Sequence, residues 1–131
     1  MLDTSAYSGF MRGEPGVRLA LEQADEIHFS PVVFGELHAG FLRGSRRADN
    51  QRRLHAFLSS ARVGVTQIDD ETSLRYAEIF NYLRQNGFPI PTNDIWIAAG
   101  AMQHGLRLLT ADAHYLRLPQ VLVDFCPPAS A

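Results

Sequence analysis

Four acidic residues, Asp3, Glu36, Asp94 and Asp112, each stand in apolar stretches of this 131-residue chain. A carboxylate withdrawn from water is costly unless something compensates its charge. Brought together, two carboxylates about 4 Å apart repel by roughly 4 kcal/mol at an effective dielectric near 20, and each resists ionising. A divalent cation reverses the sign of that interaction. Hard oxygen donors suit Mg2+, and Mn2+ tolerates the same donors. A metal held in this way acidifies a bound water, orients it and stabilises charge growing on a phosphate. A carboxylate not occupied by metal can take the water's proton. Zinc is disfavoured, because no Cys/His pair sits at ligand spacing. His114 is the histidine nearest to an acid, yet a lone His after a strand reads as a surface side chain.

Each acid also has a plainer reading. Asp3 could cap a helix starting at Thr4, and Asp112 a short turn at Ala113–Leu116. Asp94 could simply favour the positive end of its helix, and Glu36 could pair with Arg43. Four independent caps, however, have no reason to meet at one place.

The elements that would bring them together alternate short apolar strands with longer helical stretches, a pattern that predicts a parallel sheet with crossover helices. Met1–Asp3 reads as the stub of a first strand, followed by a short helix or turn over Thr4–Phe10 and a helix over Pro15–Ala24. Glu26–Ser30 reads as a strand. Ser30 then caps a helix to about Leu42, with Pro31 in the first helical position. Further helices are predicted at Arg46–Ala61, from Asp69 or Asp70 to Gln85, and at Asp94–His104. The second of these shows an apolar face of Leu74, Ala77, Ile79, Phe80 and Leu83. Strands are predicted at Val63–Gln67, Leu106–Thr110 and Val121–Phe125. In such a sheet, ligands bind beyond the carboxyl ends of the strands. Asp3, Asp94 and Asp112 belong at that edge, and Glu36 reaches it if its helix face points inward. The expected organisation is a single domain over residues 1–126 and a flexible tail over 127–131.

Composition narrows the function classes. Apolar residues make up 46% and the formal net charge is −2, so bulk charge does not mark a nucleic-acid binder. All 12 basic residues are Arg, and five of them (Arg43, Arg46, Arg47, Arg52 and Arg53) fall within eleven positions. Such a cluster suits phosphate through bidentate contacts, or is a solvated helix face. Without Lys there is no P-loop, and no GxGxxG motif supports dinucleotide binding. The single Cys126 fits a reducing compartment. No secretory signal and no apolar run of membrane-spanning length is evident, so a cytoplasmic protein away from membranes is expected.

Four segments resemble the motifs of PIN-domain ribonucleases, and especially the VapC toxins of bacterial toxin–antitoxin pairs. Leu2-Asp3-Thr4-Ser5-Ala6-Tyr7 is similar to their opening, and Val33-Phe34-Gly35-Glu36-Leu37 to their second motif. Thr92-Asn93-Asp94-Ile95-Trp96-Ile97-Ala98-Ala99 is similar to an Asp opening an Ala-rich helix. Leu108-Leu109-Thr110-Ala111-Asp112-Ala113-His114-Tyr115 is similar to the closing strand with Thr-x-Asp. The match spans essentially the whole chain, in order. The Met1–Asp3 stub is shorter than the family's usual first strand.

The resemblance implies a PIN-like α/β fold with a central parallel sheet of about four to five strands flanked by helices. It implies Asp3 and Asp94 as the main direct or water-bridged metal ligands, Glu36 and Asp112 completing the pocket, and Thr110 supporting it by hydrogen bonding. It further implies Mg2+- or Mn2+-dependent endonucleolytic cleavage of RNA, a homodimer, and a VapB-type antitoxin that occludes the site. Phe34, Leu37, Phe41, Leu54, Phe57 and Leu58 could line an antitoxin groove or pack as helix core. Trp96 reads as a core or dimer-interface residue rather than a base-stacking one. The alternatives are a PIN nuclease acting in RNA processing without an antitoxin, and a catalytically silent binding module; the intact acidic quartet speaks against the latter.

Overall fold

The computed structural model describes residues Met1–Ala129. Part of the expected tail, 130–131, lies outside the described residues. Six α-helices are described: α1 (Thr4–Met11), α2 (Pro15–Gln23), α3 (Pro31–Arg43), α4 (Arg47–Leu58), α5 (Asp70–Asn86) and α6 (Thr92–His104). Four strands of three residues each join them: β1 (Ile27–Phe29), β2 (Val63–Val65), β3 (Leu108–Thr110) and β4 (Val123–Phe125). A short 3-10 helix, Ala113–Arg117, lies between β3 and β4.

Local signals place most helix starts as the sequence reading expects. Ser30 Oγ accepts from the Val32 N–H at 3.2 Å, with Pro31 opening α3. Asp69 and Thr72 cap α5 reciprocally, each side chain taking the other's backbone N–H. Helix α6 departs from expectation. It begins at Thr92, two residues before Asp94, with Pro91 at the cap and no side-chain cap bond. At its far end Gly105 adopts φ +63°, and the Leu106 N–H returns to the Ala101 carbonyl at 2.9 Å. Leu106 is thereby used to close the helix, and β3 starts at Leu108 rather than Leu106.

The strands form two parallel pairs, β1 with β2 and β3 with β4. Residues Met1–Asp3 lie between them. The Leu2 N–H donates to the His28 carbonyl in β1 at 2.9 Å, and the Leu109 N–H of β3 donates to the Met1 carbonyl at 2.8 Å. Leu2 forms an isolated parallel bridge with Leu109. This is an α/β arrangement with the predicted parallel sense, built from very short ladders. The consequence for the site is specific. Asp3, Ser30 and Ala111 all follow the carboxyl ends of adjacent parallel segments.

The core is continuous through both ladders. Leu2, Phe29, Val33, Ile79, Ile97, Leu108 and Tyr115 are all essentially fully buried. The Phe29 ring meets those of Tyr7, Phe34 and Phe57 with centroids 5.9, 5.2 and 5.7 Å apart, geometry that adds a few tenths to about 1.5 kcal/mol per pair beyond burial. Buried Ala98, Ala99, Gly100 and Ala101 make α6 the most enclosed helix, and α5 packs along it. The apolar face expected on α5 is narrower than predicted. Ile79 and Leu83 are buried, but Leu74 is 60% exposed, and Phe80 and Ala77 also face solvent. α5 buries a single stripe, in which the Thr72 hydroxyl is taken up by Gln103 Oε1. The six apolar residues of α3 and α4, read as either a groove or helix core, are all buried or half-buried against the core. Among the described residues, no helix is long and apolar enough to cross a membrane.

Candidate active site

Asp3 is the most enclosed of the four acids, at 3% exposure. Its Oδ1 accepts from the Ala6 N–H at 2.8 Å, which caps α1, and from Ser5 Oγ at 2.8 Å. Its Oδ2 accepts from Thr110 Oγ1 at 2.7 Å and from Ser5 Oγ at 2.9 Å. Burial pushes the Asp3 carboxyl above its usual range; the donors from Thr110, Ala6 and Ser5 oppose that shift, and the Asp94 charge adds to it. Thr110 ends β3 fully buried, and its hydroxyl oxygen also accepts the Asp112 N–H at 2.9 Å. One Thr therefore couples two of the acids.

Asp94 is half-buried in the first turn of α6. Burial raises its pKa; hydrogen bonding and the neighbouring His114 lower it, and the Glu36 charge raises it again. Glu36, on the second turn of α3, is also half-buried and accepts from Thr4 Oγ1 at 2.6 Å. Its other oxygen accepts no hydrogen bond among the described residues. Asp112 caps the 3-10 helix, accepting from the His114 N–H at 3.3 Å. Capping and clustering thus coexist: Asp3 and Asp112 are helix caps, and they also face a common site.

His114 corrects the sequence reading. It is no free surface side chain. Its Nε2 lies 2.6 Å from Asp94 Oδ2 and its Nδ1 lies 3.0 Å from Asp112 Oδ1. The short Nε2 contact to Asp94 falls outside aligned hydrogen-bond geometry and is a close approach of two polar atoms. The donor atoms of Asp94, Asp112 and His114 all lie within 4.8 Å of one another. Two carboxylates and an imidazole at that spacing fit a divalent cation, with Mn2+ more tolerant of the nitrogen donor than Mg2+. Asp3 is not part of this group: its oxygens are already engaged by backbone and hydroxyl donors.

Tyr115 is a second residue the sequence reading did not single out. Its phenol is fully buried, with its oxygen beside Asp94 but outside aligned hydrogen-bond geometry. Burial, then the nearby charges of Asp94 and Asp3, raise its pKa strongly, so the hydroxyl keeps its proton. Both signals were weak in the sequence: one His and one Tyr after a strand have many ordinary roles. Trp96 packs on Tyr76 of α5, centroids 4.3 Å apart. A cavity of about 590 Å3 lies elsewhere, lined by Met1, Ala24, Asp25, Arg107 and Asp124, and contains none of the four acids.

The PIN domain family model matches residues 1–121. Ribonuclease VapC4 of Mycobacterium tuberculosis is 37% identical over 94 residues, covering 72% of each chain. Ribonuclease VapC1 of Haemophilus influenzae strain R2866 is 31% identical over 114 residues, covering 84% of each. The solved structure of VapBC2 from Rickettsia felis bound to a promoter DNA fragment superposes with a TM-score of 0.83 at 26% identity, covering 95% of this chain and 96% of that one. VapBC-1 from nontypeable Haemophilus influenzae superposes with a TM-score of 0.84 at 25% identity over the same shares. With its acids, its parallel ladders and these relatives taken together, the chain belongs to the PIN-domain family, on its VapC ribonuclease branch.

Proposed function

We propose that this protein is a divalent-metal-dependent endoribonuclease, the toxin of a VapBC-type pair, which hydrolyses RNA phosphodiester bonds. The observation that carries this reading is the convergence of Asp94, Asp112 and His114 beyond the carboxyl end of β3, beside Asp3 and Thr110. Asp94 and Asp112, with His114, would hold the cation directly. Asp3 would act through water, because each of its oxygens already accepts hydrogen bonds. A bound Mg2+ or Mn2+ would supply an acidified water and positive charge for the phosphate.

The chain's own residues do the rest. Thr110 fixes the Asp3 carboxylate and the Asp112 backbone in one geometry. Glu36, with one oxygen anchored on Thr4 and the other free of protein donors, takes the proton of the attacking water. Tyr115 offers its phenolic hydrogen to the pocket. The attacking oxygen bonds to phosphorus as the scissile P–O bond breaks, and the departing sugar oxygen leaves with a proton from solvent.

A VapB-type antitoxin is the expected partner, as the similar VapBC structures suggest, and the same reading includes a homodimer and a cytoplasmic site of action. The test is direct. Purified protein should cleave single-stranded or looped RNA with Mg2+ or Mn2+ and stop with chelator, while Asp94→Asn should be inactive. Equal cleavage by Asp94→Asn would assign the activity to a contaminant and end the proposal.

A further inference from the structure

The acidic pocket explains how a bond could be cut, but not how a polyanion approaches it. Four carboxylates repel a phosphate chain, and the protein's net charge of −2 offers no general attraction. Local positive charge has to hold the strand. The Arg cluster noted in the sequence falls on the corner between α3 and α4, and Arg43, Arg46, Arg47, Arg52 and Arg53 are all exposed. Among the described residues, only Arg52 has an acidic partner, Asp49, at 3.5 Å. Four guanidinium groups are left without a carboxylate.

Their relation to the site follows from helix geometry. Glu36 and Arg43 share α3 and are seven residues apart, which is within about 20° of two full turns and about 10 Å along the axis. Both lie on one face. Between them that face carries Gly40, and a Cβ built on Gly35 or Gly40 would meet nothing within 4 Å. The path from the pocket to Arg43 is low and open. Arg46 and Arg47 continue it around the corner. Arg53 stands one turn before Phe57, whose ring meets Tyr7 of α1 at 5.6 Å, so α4 is held beside the helix that Asp3 caps.

We propose that Arg43, Arg46, Arg47 and Arg53 form the track that grips the phosphates of single-stranded RNA flanking the cleavage point, with the small-residue face of α3 as its floor. This rests on the nuclease reading above. Arginine suits it, because its planar fork meets phosphate oxygens in pairs. An acidic protein segment could be drawn to the same charges; the alignment of Arg43 with Glu36 at about two nucleotides' spacing favours RNA.

The test is binding, separated from cleavage. Asp94→Asn protein in chelator is titrated with a labelled oligouridylate about twelve nucleotides long, at several salt concentrations. Arg43→Ala/Arg46→Ala/Arg47→Ala in that background should fold with unchanged melting temperature and bind at least tenfold more weakly. The slope of log affinity against log salt should fall by about 2, since each lost phosphate contact on a single strand contributes about 0.7. Replacing the same three by Lys should preserve most of the slope, and Arg18→Ala on α2 should leave it unchanged. An unchanged slope in the triple Ala variant overturns the track, as does loss of binding to a polyglutamate peptide with RNA affinity intact. If the track is right and the nuclease reading wrong, the slope change appears while wild-type protein with Mn2+ cuts no RNA.

Discussion

The imidazole of His114 stands between two carboxylates, with Nε2 2.6 Å from Asp94 and Nδ1 3.0 Å from Asp112. One of its nitrogens and an oxygen of each acid lie within 4.8 Å of one another, close enough to share one cation. His114→Ala should therefore act on metal selectivity more than on folding. Mn2+, which accepts nitrogen donors readily, should lose more of its stabilising effect than Mg2+ does. Melting curves with each ion, in wild type and variant, measure this. An equal loss for both ions would remove His114 from the donor set.

Thr110 ties Asp3 to Asp112 by donating to one and accepting from the other's backbone, all within buried surroundings. Thr110→Val keeps the shape and removes the hydroxyl. It should cost about 1–3 kcal/mol, because Asp3 Oδ2 keeps only the longer contact from Ser5 and the Asp112 N–H loses its acceptor. Thr110→Ser should recover most of that. Urea denaturation of the three proteins decides it, and a Val variant as stable as wild type would mean that the Asp3 carboxylate is satisfied without Thr110.

The metal-free protein should have a distinctive pH dependence. Asp3 and Asp94 both have pKa values raised above 3.8, chiefly by burial. A raised carboxyl stabilises the fold below its unfolded pKa, and that contribution is lost as pH rises through the folded value. Asp69 and Asp124 are shifted the other way, so their contributions are lost only as pH falls below about 3.8. The buried Met1 amino group, lowered to about 6, also titrates between pH 7 and pH 5, but it is common to wild type and variant and cancels from their difference. In chelator, Asp3→Asn/Asp94→Asn should be more stable than wild type at pH 7, because the cost of keeping two buried carboxylates charged is removed. The gap should narrow as pH falls toward 3.8. A gap that does not change with pH would mean that the two carboxyls titrate normally.

Much of this arrangement was legible in the sequence, for identifiable reasons. Asp3, Ser30 and Asp69 cap helices through local hydrogen bonds, and local chemistry is what a sequence displays. The strands were readable as apolar runs, but their lengths were not. Leu106 is drawn into the close of α6 by the left-handed Gly105, and that competition is invisible in the apolar pattern. The face of α5 misled for a different reason. Leu74 and Phe80 follow helical periodicity, yet periodicity does not say whether a neighbouring element covers them. Asp94 was placed correctly near the edge, but the partner that defines its surroundings, His114, lies twenty residues away on a separate turn. Only the parallel register of β3 beside Met1–Asp3 brings those pieces together.

Tyr115 offers the sharpest division between folding and chemistry. Its hydroxyl is buried against Asp94, Asp3 and Glu36, and it has no aligned partner among the described residues. An unsatisfied buried hydroxyl costs stability, so Tyr115→Phe should leave the metal-free protein as stable as wild type, or about 1 kcal/mol more so. The ring itself, which fills the core beneath the pocket, is retained. Catalysis should respond in the opposite direction. A donor aimed at the place where charge develops is worth about a hundredfold to a thousandfold in rate, so the Phe variant should cleave RNA more slowly in kcat with little change in KM. Denaturation in chelator and single-turnover cleavage with Mn2+ read the two effects separately. A Phe variant destabilised by about 2 kcal/mol would show that the hydroxyl is bonded to Asp94 in the resting fold. A variant with unchanged rate would show that the hydroxyl takes no part in cleavage, leaving Tyr115 as packing alone.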